Sequence, residues 1–225
     1  PFRGIRKGYV MTSNDPDDVL ATVRAKRGYL LAYHRLLAAH DPALLRRYDD
    51  WYDALTLVPR ALGAAEREIV WVALVAVTER TVGALHLKRG REAGLSDEAI
   101  RSAIALASLA AGYRIFVQAA EGWPDFAPAE TLDARHLALF ETARAGLPHG
   151  PACLAMATAM AGLENWPGFS LYLRHAFDAG VTVTEAAEAM SFLIHHCGGP
   201  VLVAASEAWS KLAEAGSVPS PFEIE

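Results

Sequence analysis

The run EREIVWVALVAV, from Glu66 to Val77, limits what this chain can fold into more than any other stretch. After two acids it holds nine apolar residues without a break, Ile69 to Val77. A helix apolar on almost every side must be buried all round. Nine residues are about half of what a bilayer crossing needs, so the burial has to come from the protein itself. The next segments read as helix again. Gly94 stops the one containing His86, and Ser96-Asp97-Glu98 caps a long helix rich in small residues, with acids in its first turn as the helix dipole prefers. No stretch of the chain sustains the two-residue alternation of a half-buried strand, so the fold class is all-α.

The later part of this unit recurs at an offset of 86 positions. Leu85/Leu171, Leu87/Leu173, Ala93/Ala179, Gly94/Gly180, Gly112/Gly198, Glu121/Glu207 and Trp123/Trp209 are identical pairs held in one register without a gap. Such register over a supersecondary unit indicates an internal duplication. The halves differ where chemistry belongs, since His86 in the first faces Tyr172 in the second.

Composition narrows the classes. The 225 residues can bury a substantial core, as one large domain or two small ones. A net charge of -5 gives no basic footprint for nucleic acid. Cys153 and Cys197 form neither a CxxC pair nor a disulfide framework, which suits a reducing compartment, and residues 1–10 have no apolar signal core. The expectation is a soluble cytoplasmic protein with no membrane contact. In order, the chain reads as an extended basic arm (1–13), a first helical repeat carrying the candidate site (14–121), a linker with two prolines (122–128) and a second helical repeat (129–225). In the long helix Ile100, Ile104, Ala107, Ala111 and Ile115 form the expected core strip.

His86 leads the residues that can carry chemistry. An imidazole beside a strongly apolar helix faces a low-dielectric cleft, and an acid with a histidine is the minimal kit for proton transfer near neutral pH. Glu68 and Glu79 are the candidate partners. Glu79 lies two helical turns from His86, about 10 Å, so a substrate can bridge them and a hydrogen bond cannot. Arg114, just after Gly112, is a candidate carboxylate clamp, with Tyr113 beside it. His195 and His196 form a second cluster. Neighbours on a helix point about 100° apart, so His195-His196-Cys197 cannot grip one ion, and no metal is expected.

These residues together resemble the carboxymuconolactone decarboxylase and alkylhydroperoxidase-D-like superfamily. The resemblance rests on the ERE start of an apolar helix, on His86 eight residues before Gly94, on the capped acidic turn at Ser96-Asp97-Glu98 and on Gly112. The second half repeats the pattern at Gly180, Thr182, Glu185, Glu188 and Gly198. The resemblance implies a tandem pair of alkylhydroperoxidase-D-like helical repeats that assembles as a homo-oligomer, a dimer, trimer or hexamer. Peroxidase-type members carry a CxxC pair where this chain has Glu79 and Val82, so the thiol couple is absent. The decarboxylase branch implies a cofactor-free lyase acting on a cyclic or carboxylated small molecule, as in aromatic compound catabolism. His86, Glu79 and Glu68 would be catalytic, and Tyr113, Arg114, His195 and His196 would hold the substrate. A lactone-directed hydrolase would use the same groups. A thiol-type antioxidant working through Cys197 and a non-catalytic ligand-binding helical module are the rival expectations.

Overall fold

The computed structural model describes residues 15–79 and 83–222, and the expected basic arm lies outside them. Among the described residues every regular element is helical. The chain divides into two compact units, one up to Val58 and one from Pro59 onward. Residues 122–128, expected as the linker, fall inside the second unit as a turn between two of its helices. The break comes earlier because both halves of the long stretch from Pro59 share one core.

In the first unit Asp15 caps α1 (Pro16–Arg27), accepting from the backbone of Asp17 and Asp18. Gly28, at φ 81°, ends α1. After α2 (Ala32–His40), Asp41 caps α3 (Pro42–Tyr52), which runs into a π-helical turn, Asp53–Leu57. Val19, Val23, Ala38 and Leu45 form its core. Beside that core lies a buried polar cluster. Arg27 Nε donates to Asp49 Oδ1 at 2.8 Å, and its guanidinium lies 3.7 Å from the centre of the Tyr52 ring. His34, wholly buried, has both ring nitrogens facing N–H donors, Leu31 N at 3.0 Å and Arg27 Nη1 at 3.2 Å. The ring has no place for a second proton. Burial first, and Arg27 next, hold it down to about 4.

The second unit is built on two helices buried on all sides. In α4 (Ala64–Val77) every residue from Glu68 to Val75 is buried, and in α8 (His149–Gly162) every residue from Ala152 to Ala161. They pack on each other, with α6 (Asp97–Gly122) against both. α5 (Ala84–Glu92) lies on α4, α7 (Ala129–Ala143) on α6, and α9 (Trp166–Asp178) on α8. The chain closes with α10 (Val183–Ser191), the short α11 (Leu193–His196) and α12 (Gly199–Glu214). By length and composition α6 could cross a bilayer; here it packs against α4, α7 and α8. Its buried strip runs through Ala103, Leu106, Ala110 and Tyr113 as well as Ile100 and Ala107. Ile104, Ala111 and Ile115, expected inside, are exposed. On a helix so rich in alanine the apolar residues ring the axis, and a neighbour's position rather than the pattern decides which face is covered.

The two halves of this unit keep matching landmarks. Ser96 and Thr182 cap α6 and α10, while Gly94 and Gly180 stand at φ 93° and 87° in the turns before them. They part at Gly112 and Gly198. The first sits inside the continuous α6, whereas the second, at φ 91° and two residues before Pro200, separates α11 from α12. α4 and α8 both end on a left-handed glutamate, Glu79 at φ 55° and Glu164 at φ 54°. At Glu164 the bonds Asn165 N–Met160 O and Glu164 N–Ala161 O make the helix-ending turn that Gly94 and Gly180 make elsewhere.

The glutamate turn and the His34 cluster each bear on stability. A left-handed conformation costs a non-glycine residue about 1 kcal/mol. After allowing for glycine's extra unfolded-state entropy, Glu164→Gly should gain about 0.5 kcal/mol in a denaturant titration; a loss of stability would mean that the turn carries no strain. His34 stays neutral in the folded chain down to about 4, while an unfolded histidine takes up its proton near 6.5. The stabilisation is therefore complete above pH 6.5 and is lost as pH falls towards 4, by up to about 3 kcal/mol. Between pH 7 and pH 5 the melting temperature should fall less for His34→Gln than for the unsubstituted chain, and equal falls would exclude His34 as the cause.

Candidate active site

Glu68 lies in the second turn of α4, and the all-round burial of that helix carries its carboxylate into the interior, 1% exposed. α5 brings the partner. Gly83 allows the approach, because a Cβ there would stand 2.4 Å from Val75 Cγ2 on α4. One turn beyond His86, a Cβ on Gly90 would meet Glu68 Cβ at an ordinary contact distance of 3.8 Å and crowd Leu95 Cδ1 at 3.2 Å. His86 Nδ1 then reaches Glu68 Oε2 at 2.8 Å. The other carboxylate oxygen, Oε1, is 3.6 Å from Arg67 Nε.

The electrostatics assign the proton. Burial holds His86 below its ordinary value, outweighing the Glu68 carboxylate that pulls it up, and the Arg89 and Arg67 charges add to the lowering. The ring is therefore neutral at pH 7. Facing a carboxylate, it carries its hydrogen on Nδ1 and presents the Nε2 lone pair, with 6% of the residue still exposed. A histidine oriented in this way by a carboxylate is a general base whose cationic form is stabilised from behind.

Aromatic rings fix the imidazole plane. Trp71, one turn after Glu68 on α4, stacks on His86 with centroids 4.7 Å apart and on Phe192 at 4.3 Å. His196 and His195 stand edge-on to the Trp71 ring system at 5.3 and 6.3 Å. The Arg60 guanidinium lies 5.5 Å from the Phe192 ring. It also approaches Glu188 Oε1 at 3.6 Å, while Glu188 Oε2 accepts from Leu62 N–H at 2.8 Å, which ties the start of the unit to α10. Trp71 Nε1 is buried with no hydrogen-bond partner among the described residues.

Of the residues singled out in the sequence, Glu68, His86, His195 and His196 thus gather around Trp71. Glu79, Tyr113 and Arg114 do not. Glu79 is exposed, because its left-handed backbone ends α4 instead of starting the next helix. With Arg114 it lines a cleft of about 510 Å³. Tyr113 donates to Asp133 Oδ1 at 2.5 Å and lines an adjoining recess of about 290 Å³. His86 lines neither. Among the described residues no group of three or more His, Cys, Asp or Glu side chains could hold a metal ion.

The corresponding place in the second half is filled differently. At the 85-residue offset that matches α4 to α8, Glu68 and Trp71 become Cys153 and Met156, and at the 86-residue offset His86 becomes Tyr172; all three are buried. His136 of α7, unmatched by any sequence signal, lies there wholly buried. Its Nε2–H donates to the Leu109 carbonyl at 3.3 Å, and its Nδ1 accepts from the Tyr172 hydroxyl at 2.8 Å. Both ring nitrogens are satisfied, which makes this a structural histidine. Neither cysteine forms a disulfide, and burial pushes the Cys153 thiol up to about 12, far from the thiolate that peroxide chemistry requires.

A helical unit whose first half holds a buried carboxylate-oriented histidine where the second half has Tyr172 is the class defined by the fold and site. The carboxymuconolactone decarboxylase family matches residues 42–125, a stretch that contains Glu68, Trp71 and His86, and over that stretch the chain is similar to this family. Comparison with curated proteins and with solved structures gives no match.

The tautomer is directly measurable. At pH 7, nitrogen NMR of His86 should show Nδ1 protonated and Nε2 bare, and the reverse assignment would refute the pairing. Glu68→Ala leaves a buried imidazole N–H unanswered and should cost about 2–4 kcal/mol in denaturant unfolding.

Proposed function

We propose that Glu68 and His86 form the proton-transfer centre of a cofactor-free lyase of the carboxymuconolactone decarboxylase type, acting on a small cyclic or carboxylated compound. The observation that carries the reading is the buried 2.8 Å contact between His86 Nδ1 and Glu68 Oε2. Similarity to that family over residues 42–125 supports the choice of chemistry. The matching landmarks of the two halves support an origin by duplication, with one half retaining the reactive pair.

The reaction uses the pair directly. A carboxylate one carbon away from a conjugated carbonyl loses CO2, and the electron pair left behind moves onto the carbonyl oxygen as an enolate. His86, having taken one proton from solvent at Nε2, delivers it to carbon, so the net change is RCOO⁻ + H⁺ → RH + CO2. Glu68 stabilises the imidazolium during its short life, which offsets the burial that otherwise opposes it. Positioned acid–base groups of this kind contribute about 10²–10⁴-fold.

The test is CO2 release from a panel of carboxylated lactones and β-keto acids. His86→Gln should lower turnover by about 10²-fold or more with the fold retained. Product made in D2O should carry one deuterium on the carbon that bore the carboxylate or on its conjugated neighbour. Turnover that persists within tenfold in His86→Gln would move the chemistry elsewhere.

A further inference from the structure

The two recesses beyond the Glu68–His86 pair adjoin each other. The larger, about 510 Å³, and the smaller, about 290 Å³, share Val117, Glu121 and Pro167 as common wall. They open at the far end of α4, since Val77 lines the larger and nine residues separate it from Glu68, about 14 Å of helix. Together they have the size and the largely apolar lining of a small-molecule site.

Their polar groups are sorted. The smaller recess is apolar and aromatic, with Tyr113, Phe116 and Leu132, and its Asp133 already accepts from the Tyr113 hydroxyl. The larger holds one guanidinium, Arg114, together with the carboxylates of Glu79, Glu121 and Glu164. Among the described residues Arg114 makes no hydrogen bond or ion pair, although it shares one cleft with three acids, and the three carboxylates find no partner among those residues either. Opposite charges that line one cavity and stay apart are complementary to a molecule that carries both signs. A carboxylate alone would meet three acids, and an ammonium alone would leave Arg114 unanswered. A lone guanidinium is suited to gripping a carboxylate in bidentate fashion.

We propose that this double recess binds a zwitterion with an apolar side chain, of the aromatic amino-acid class. The carboxylate pairs with Arg114, the ammonium with Glu121 and its neighbours Glu79 and Glu164, and the ring enters the recess of Tyr113 and Phe116. The site is separate from the proton-transfer centre and takes part in none of its steps.

The experiment is calorimetric titration of the full chain with L-phenylalanine, 3-phenylpropionate and 2-phenylethylamine. L-phenylalanine should bind at least tenfold more tightly than either single-charge analogue. Arg114→Gln should weaken L-phenylalanine at least tenfold without weakening the amine, and Glu121→Gln should weaken L-phenylalanine and the amine without weakening the propionate. His86→Gln should bind L-phenylalanine as the unsubstituted chain does, which separates this site from the catalytic reading. Both substitutions in the recess are at exposed positions, so folding is retained. Absence of L-phenylalanine binding, or affinity no better than that of an analogue, overturns the proposal.

Discussion

The contact between α4 and α8, two helices with no solvent face along most of their length, fixes the arrangement of the second unit. Because α4 is enclosed, its one internal carboxylate has to be enclosed with it. A buried carboxylate is costly unless another group answers it. Glu68 is answered by the His86 imidazole and by the approach of Arg67, and α5 comes this close to α4 because Gly83 carries no side chain. The active-site candidate thus grows out of a packing problem. Enclosure excludes water, the carboxylate compensates for its own burial by holding the histidine in one tautomer, and the Trp71–Phe192 stack keeps the ring from turning.

Trp71 shows the same logic with a residual cost. Its ring is indispensable to the stack, yet its N–H finds no acceptor among the described residues. Such a donor costs about 1–3 kcal/mol in a protein interior. The cost falls beside the reactive histidine, where unsatisfied groups concentrate in folds that trade stability for chemistry. In the first unit Arg27, Asp49, His34 and the tyrosines around them interlock into a polar core between α1, α2 and α3.

Much of this was legible from residue types alone, and the failures have physical causes. Helix ends could be read because caps and left-handed glycines act locally. Asp15, Ser96 and Thr182 start helices, and Gly94 and Gly180 follow the ends of others. Glu68 and His86 could be read because a histidine and an acid flanking an apolar helix have few places to go. The limits of α5 could not, since Glu79 takes a backbone conformation that its own chemistry disfavours. Placing it beside His86 required a helix that ends before it begins. Trp71 and Phe192 passed for ordinary core, because stacking on an imidazole leaves no trace in spacing. His136 lies outside the repeated segment and had nothing to mark it. Arg114 and Tyr113, expected to hold the substrate of His86, instead line recesses at the other end of α4.

Cys153, Met156 and Tyr172 occupy the places that would make a second copy of Glu68, Trp71 and His86. Among the described residues the second half therefore has no counterpart of the buried Glu68–His86 pair. Under the proposed function an assembly of such chains carries one proton-transfer centre per polypeptide, however many associate. The tyrosine half, relieved of that duty, can change its loops and surfaces without cost to the chemistry of its neighbour.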